Sequence, residues 1–211
     1  CAKHHVHFNN AGASPSPPQV LDATIEHMRL ESEVGAYRAA ELAHEKVEKV
    51  YRSAAKLIGA GHYNMDHVGS ECNARDEIAL TESATVSWSR VFYSMLETKE
   101  RISRHVQKEM IILVSEAEYA ANVVAAVKFA RDHSQLSGVK WRVIGIPSSF
   151  TTERISRIST GIVDLYSLQS ILDGKVDDIN PEFIVMICVT HVPTNTGAIN
   201  PVNEIGQMIH D

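Results

Sequence analysis

The period of the apolar positions changes along this chain. From Pro18 they recur helically, with Val20, Leu21, Ile25 and Met28 on one face. After Gly35 a second helical stretch runs from Ala36 to Ile58, carried by Ala39, Leu42, Ala43, Val47, Val50 and Leu57 and ended by Gly59 and Gly61. Residues 60 to 76 are polar and irregular. Beyond them, short apolar runs alternate with helical stretches. Glu77 to Thr81 reads as a short buried strand, and Ser83 caps a helix from Ala84 to Leu96 with Val86, Val91, Phe92 and Met95 facing the core. Strands follow at Met110 to Val114, Trp141 to Ile146 and Phe183 to Val189. Helices follow at Ala120 to Arg131, at Leu165 to Leu172 after a polar segment, and from Pro201 to His210.

Strands that alternate with helices pair in parallel, giving an α/β layer fold. These strand runs are apolar throughout, as required when helices cover both faces of the sheet. The division expected is an N-terminal arm and helices over residues 1–60, part of a smaller lobe, and a sheet domain over 61–211.

Composition narrows the function classes. A net charge of −6 argues against a nucleic-acid footprint, which would show as a clustered basic face. No apolar run approaches the ~20 residues of a membrane span, and the His-rich start does not resemble a signal peptide. Cys1, Cys72 and Cys188 have neither disulfide nor zinc spacing, and His4, His5 and His7 read as a solvated arm. No metal site is expected, and the cysteine usage reads as cytoplasmic. Cys1 stands where an initiator Met would, and Asp211 falls within a helical pattern, so both ends are expected to be cuts in a longer polypeptide.

Ligands of an α/β sheet sit beyond the carboxyl ends of its strands. Thr81-Glu82-Ser83-Ala84-Thr85 joins a strand to a helix start, where free N–H groups and hydroxyls suit a phosphate; a plain Ser cap gives the same pattern. Tyr119, between a strand and a helix, can stack on a flat ring or pack at the core edge. Thr190 to Gly197 offers hydroxyls and an amide after the strongest strand, or is a turn of Pro, Asn and Gly. The small residues around Asn10, Ala11 and Gly12 let backbone approach a ligand closely. No G-x-G-x-x-G or G-x-x-x-x-G-K-[ST] occurs, which leaves a nucleotide-binding domain without support.

Taken in order, FNNAGASPSPPQV from Phe8, TESAT from Thr81, EYAAN from Glu118 and THVPTNTGAINPVNEIG from Thr190 resemble the class V, fold-type I enzymes that use pyridoxal 5'-phosphate (PLP). That group includes cysteine desulfurases, selenocysteine lyases, isopenicillin-epimerase-like proteins and ergothioneine-pathway C–S lyases. GAYRAAE from Gly35 and HVPTNTG from His191 look closer to the ergothioneine-lyase and epimerase-like branch.

The resemblance implies the N-terminal portion of a PLP-binding large domain, incomplete and preceded by a helical segment. It implies that Ala84 and Thr85 bind the cofactor phosphate, and that Tyr119 stacks on the pyridine ring as the catalytic residue, where many relatives carry His. Thr194 or Asn195 hydrogen-bonds the ring hydroxyl, and Asn10, Ala11 and Gly12 line the substrate-carboxylate end. The aspartate that pairs with the pyridine nitrogen and the lysine that carries the cofactor lie downstream of residue 211; Lys128, Lys140 and Lys175 sit in no matching motif. The implied whole protein is a homodimer acting on an amino acid, most plausibly by C–S cleavage. Aminotransferase, epimerase and a non-catalytic truncated relative are the alternatives.

Overall fold

The computed structural model describes residues 6–60, 77–103, 105–106, 108–152 and 157–210. Cys1, His4, His5, Gly61, Cys72 and most of the predicted irregular segment lie outside these. The chain forms two compact units, Cys1–Thr81 and Glu82–Asp211.

The first unit holds α1 (Pro18–Val34) and α2 (Ala36–Ile58). Pro18 opens α1, where a missing N–H costs nothing, and Gly59 closes α2 with φ at 64°. The apolar stripes of both helices have little cover. No residue of α1 is buried, α2 buries only Ala39 and Ala55, and Leu21, Met28, Leu42 and Val50 stay exposed. Residues 77–81 are irregular, contrary to the expected strand. A strand needs a ladder partner, and among the described residues none pairs with this segment, although Ile78 is buried.

The second unit is an α/β layer. Its elements are α3 (Ala84–Ser103), β1 (Glu109–Ser115), α4 (Ala120–Ser137), β2 (Lys140–Ile146), β3 (Ser148–Thr152), β4 (Arg157–Val163), α5 (Leu165–Leu172), a short 3-10 turn at Pro181–Phe183, β5 (Ile184–Cys188) and α6 (Val202–His210). Three strands form a parallel sheet in the order β2-β1-β5. The β1–β5 register shifts between Ile111 and Ile112.

The central strand shows why its sequence is apolar throughout. Met110, Ile112 and Val114 pack toward Phe92 and Leu96 of α3 and Phe129 of α4. Ile111 and Leu113 pack the other way, against Leu168 and Ile171 of α5 and Ile205 of α6. All five side chains are buried. Burying each large apolar side chain stabilises by about 1.5–3 kcal/mol. Phe129 centres the first layer, edge-on to Trp141 at 4.9 Å and to Phe92 at 5.9 Å.

Two expectations for α3 need correction. Val91 and Met95 are exposed, not core. The inward stripe is Trp88, Phe92 and Leu96, at spacings of four, and residues 91 and 95 sit on the adjoining outward face. The polar segment before α5 also contains structure that the apolar pattern does not predict. β3 and β4 pair antiparallel, and Ser149 and Thr160 join hydroxyls across the ladder at 2.7 Å.

Candidate functional site

A cavity of about 610 Å³ opens where β1 and β5 end and α3 and α4 begin. That volume suits a small-molecule ligand. The site lies wholly within the second unit.

Ser83, Ala84, Thr85 and Trp88 form one wall. The Ser83 hydroxyl accepts from the Val86 N–H at 3.3 Å. This cap engages the third helical N–H; the N–H groups of Ala84 and Thr85 belong to the first turn, which has no intrahelical acceptor. First-turn donors at the positive end of a 20-residue helix suit an anion. Trp88 lies one turn beyond Ala84 on the same side and stacks on Phe92 at 4.4 Å. The i, i+4 spacing from Ala84 is the signal in the sequence that marks it.

The loop after β1 supplies the second wall. Tyr119 is about half exposed and precedes the first residue of α4. Glu118 and Asn122 line the cavity beside it. The third wall is the loop after β5. Thr190, Pro193, Thr194 and Asn195 line it, and the Gly197 N–H donates to the Pro193 carbonyl at 2.8 Å to close the turn.

This loop is bolted to β4 by Asn200, whose side chain is buried. Its Oδ1 accepts from the Val163 N–H at 2.7 Å, and its Nδ2 donates to the Thr190 carbonyl at 2.8 Å. Gly161 of β4 stands at φ 73°, and a Cβ there would come within 2.8 Å of the Thr196 side chain. The hairpin that the apolar pattern missed therefore supports the third wall.

Of the residues singled out in the sequence, Ala84, Thr85, Tyr119, Thr194 and Asn195 come together on this cavity. Asn10, Ala11 and Gly12 lie in the first unit, in an exposed turn closed by Gly12 and Ala13 N–H bonds to the Asn9 carbonyl. The Asn9 side chain fills the space beside Gly12, 2.7 Å from where a Cβ would stand.

The lining fits a phosphorylated planar ring: first-turn N–H groups and hydroxyls at the start of α3, the aromatic side chains of Tyr119 and Trp88, and the hydroxyls and amide of Thr190, Thr194 and Asn195. Other chemistry has less to work with. Cys188, at the end of β5, has its thiol pushed up to about 12 by burial and by the charge of Glu118, so it remains protonated and unreactive. Among the described residues no group of three or more His, Cys, Asp and Glu side chains could hold a metal ion, and no helix is long and apolar enough to cross a membrane. Among the described residues no lysine lines the cavity.

A cysteine desulfurase of Haloferax volcanii is 22% identical over 209 residues, which cover 98% of this chain and 40% of that protein. The chain thus spans less than half of that relative's length. The sequence profile described as aminotransferase class-V matches residues 6–211. With that match along almost its full length and a parallel sheet cradling a phosphate-compatible cavity, the chain is part of a fold-type I domain and belongs to the class-V aminotransferase family, whose enzymes depend on PLP.

Proposed function

We propose that the full-length polypeptide is a PLP-dependent enzyme acting on an amino acid by C–S bond cleavage, of the lyase or cysteine-desulfurase kind, working as a cytoplasmic homodimer. The observation that carries this reading is the convergence of Ala84, Thr85, Tyr119, Thr194 and Asn195 on one cavity. The similarity to a cysteine desulfurase supports the reaction class, and GAYRAAE and HVPTNTG favour the ergothioneine-lyase and epimerase-like branch.

When bound, PLP supplies an electron sink for the pair left by a bond broken at the amino acid. The residues of this chain bind and orient it. Ala84 and Thr85 would hold the phosphate at the start of α3. Tyr119 would stack on the ring and exclude water from it. Thr194 or Asn195 would hydrogen-bond the ring hydroxyl.

The test is purification of the full-length protein with PLP, followed by its visible absorbance and its products from a panel of thiol and thioether amino acids. A cofactor band with release of sulfide or transferable sulfur is expected. A cofactor band with only amino-group transfer or inversion at the α-carbon would replace C–S cleavage by the aminotransferase or epimerase reading. A protein that takes up no PLP would leave the non-catalytic reading.

A further inference from the structure

One carboxylate joins two walls of the cavity. Glu118 Oε1 accepts from the Tyr119 backbone N–H at 2.9 Å and from Asn122 Nδ2 at 2.9 Å, both in the segment after β1. The same oxygen accepts from Thr190 Oγ1 at 2.5 Å, across 72 residues of chain, on the loop after β5. The Thr190 carbonyl in turn accepts from the buried Asn200, and Asn200 is held by β4. A continuous chain of hydrogen bonds therefore runs from Asn122 through Glu118, Thr190 and Asn200 to Val163.

A carboxylate on the wall of a largely apolar cavity is disfavoured unless its oxygens are hydrogen-bonded. Here three donors converge on one oxygen, and bonds to a charged acceptor are the short, strong kind. One of these donors is the backbone N–H of Tyr119 itself. The bond from Thr190 fixes the start of the loop that carries Thr194 and Asn195. Parallel strands impose no direct contact between the loops at their ends, so this tie is an added feature of the site.

We propose that Glu118 is a positioning residue: it sets the distance between the Tyr119 wall and the Thr194–Asn195 wall, and so the width of the slot for the cofactor ring. The proposal rests on the PLP reading for the identity of the ring, but the tie between the loops can be measured without any ligand.

The experiment uses the full-length protein, with Glu118→Ala, Glu118→Gln and Thr190→Val. In the cofactor-free form, amide hydrogen exchange is followed separately in segments 119–122 and 190–195. Glu118→Ala should speed exchange in both segments, and Thr190→Val, which removes only the hydroxyl, should do the same in milder form. Glu118→Gln, which keeps an accepting oxygen, should restore most of the protection. With PLP added, Glu118→Ala should weaken binding about tenfold, the loss of one such bond, and should change the visible circular dichroism of the bound cofactor; Glu118→Gln should bring both back toward wild type. Exchange that rises only in 119–122 would overturn the tie. Wild-type affinity and dichroism in Glu118→Ala would overturn the positioning role while leaving the PLP reading intact. A wild-type protein that takes up no PLP would remove the PLP reading, and the exchange pattern would still decide whether Glu118 couples the loops. Should Glu118→Ala not fold, Thr190→Val carries both measurements.

Discussion

Glu100 of α3 meets His133 of α4 at 2.5 Å, with the imidazole stacked on Phe129 at 3.8 Å. The carboxylate can only accept, so His133 Nδ1 carries the proton in this bond. Burial by itself would push the Glu100 carboxyl up; the nearby Ser137 hydroxyl and the hydrogen bond and charge of His133 outweigh it and hold the group below its ordinary 4.5. A carboxyl lowered in the folded state adds stability that is fully present above its unfolded value and is lost as pH falls through the folded value. Glu100→Gln should therefore cost about 1.5–3 kcal/mol near neutral pH, the range for hydrogen bonds to a charged group. The gap from wild type should close below pH 4.5, where wild type loses the same contribution. Denaturant midpoints across pH 3–7 check this; a gap that is constant with pH would mean that Glu100 acts only through packing.

Thr85→Val tests the phosphate end. The change keeps the size of the side chain and the open N–H groups of α3 while removing one hydroxyl. PLP affinity of the full-length protein should fall by the worth of a charge-assisted bond, about 1.5–3 kcal/mol. Titration by cofactor absorbance reads this directly, and unchanged affinity would put the phosphate elsewhere.

Tyr119→Ala tests the ring face. Tyr119 is half exposed and contributes little to the core, so its loss should leave folding stability near wild type. The bound cofactor should lose about 0.5–1.5 kcal/mol of aromatic contact and show a shifted absorption band. A fall in melting temperature with an unaltered band would instead mark Tyr119 as a packing residue.

Much of this organisation was legible in the sequence because it rests on local period. The apolar run at β1 is buried on two faces and therefore reads without alternation, and Leu165–Leu172 matches its helix to the residue. What was not legible depends on partners. Residues 77–81 carry a strand-like composition, but no described strand pairs with them. β3 and β4 are held by a Ser149–Thr160 hydroxyl pair and by Asn200, and none of these residues contributes an apolar signal. At the site, the helix start at Ala84 and Thr85 and the strand-to-helix junction at Tyr119 were legible from local pattern, and their roles were implied by the family resemblance. The role of Glu118 did not, because its partner Thr190 is distant in sequence.

Gly161 provides a test of the hairpin's supporting role. Its φ of 73° is open to glycine and strained for any other residue at this point, and a Cβ would come within 2.8 Å of Thr196. Gly161→Ala should cost about 1–2 kcal/mol from the backbone conformation alone, with a further penalty unless Thr196 moves. Thermal unfolding should show the loss, and PLP affinity should fall with it, since Thr196 belongs to the loop that carries Thr194 and Asn195. Lower stability with unchanged affinity would separate the hairpin from the site.

The last prediction concerns the 211 residues expressed alone. Covalent capture of PLP requires an amine that is close to the ring and available as a nucleophile. None of the three lysines considered from the sequence lines the cavity. Lys128 is ion-paired with Asp132 at 2.5 Å and Lys140 with Glu109 at 3.2 Å, both on exposed surface. Lys175 bonds Asp173 at 2.7 Å, and that hydrogen bond raises its pKa, the reverse of what a nucleophilic amine needs. The chain should therefore hold PLP only reversibly, through Ala84, Thr85 and Tyr119, and should turn over no amino acid. Incubation of Cys1 to Asp211 with PLP, reduction with borohydride and peptide mass spectrometry gives the readout. Scattered, substoichiometric labelling of surface lysines is the expected result. A single stoichiometric adduct at Lys128, Lys140 or Lys175, accompanied by turnover, would show that the cofactor-bearing lysine lies within this segment and that the cavity between β1 and β5 is not where the ring sits.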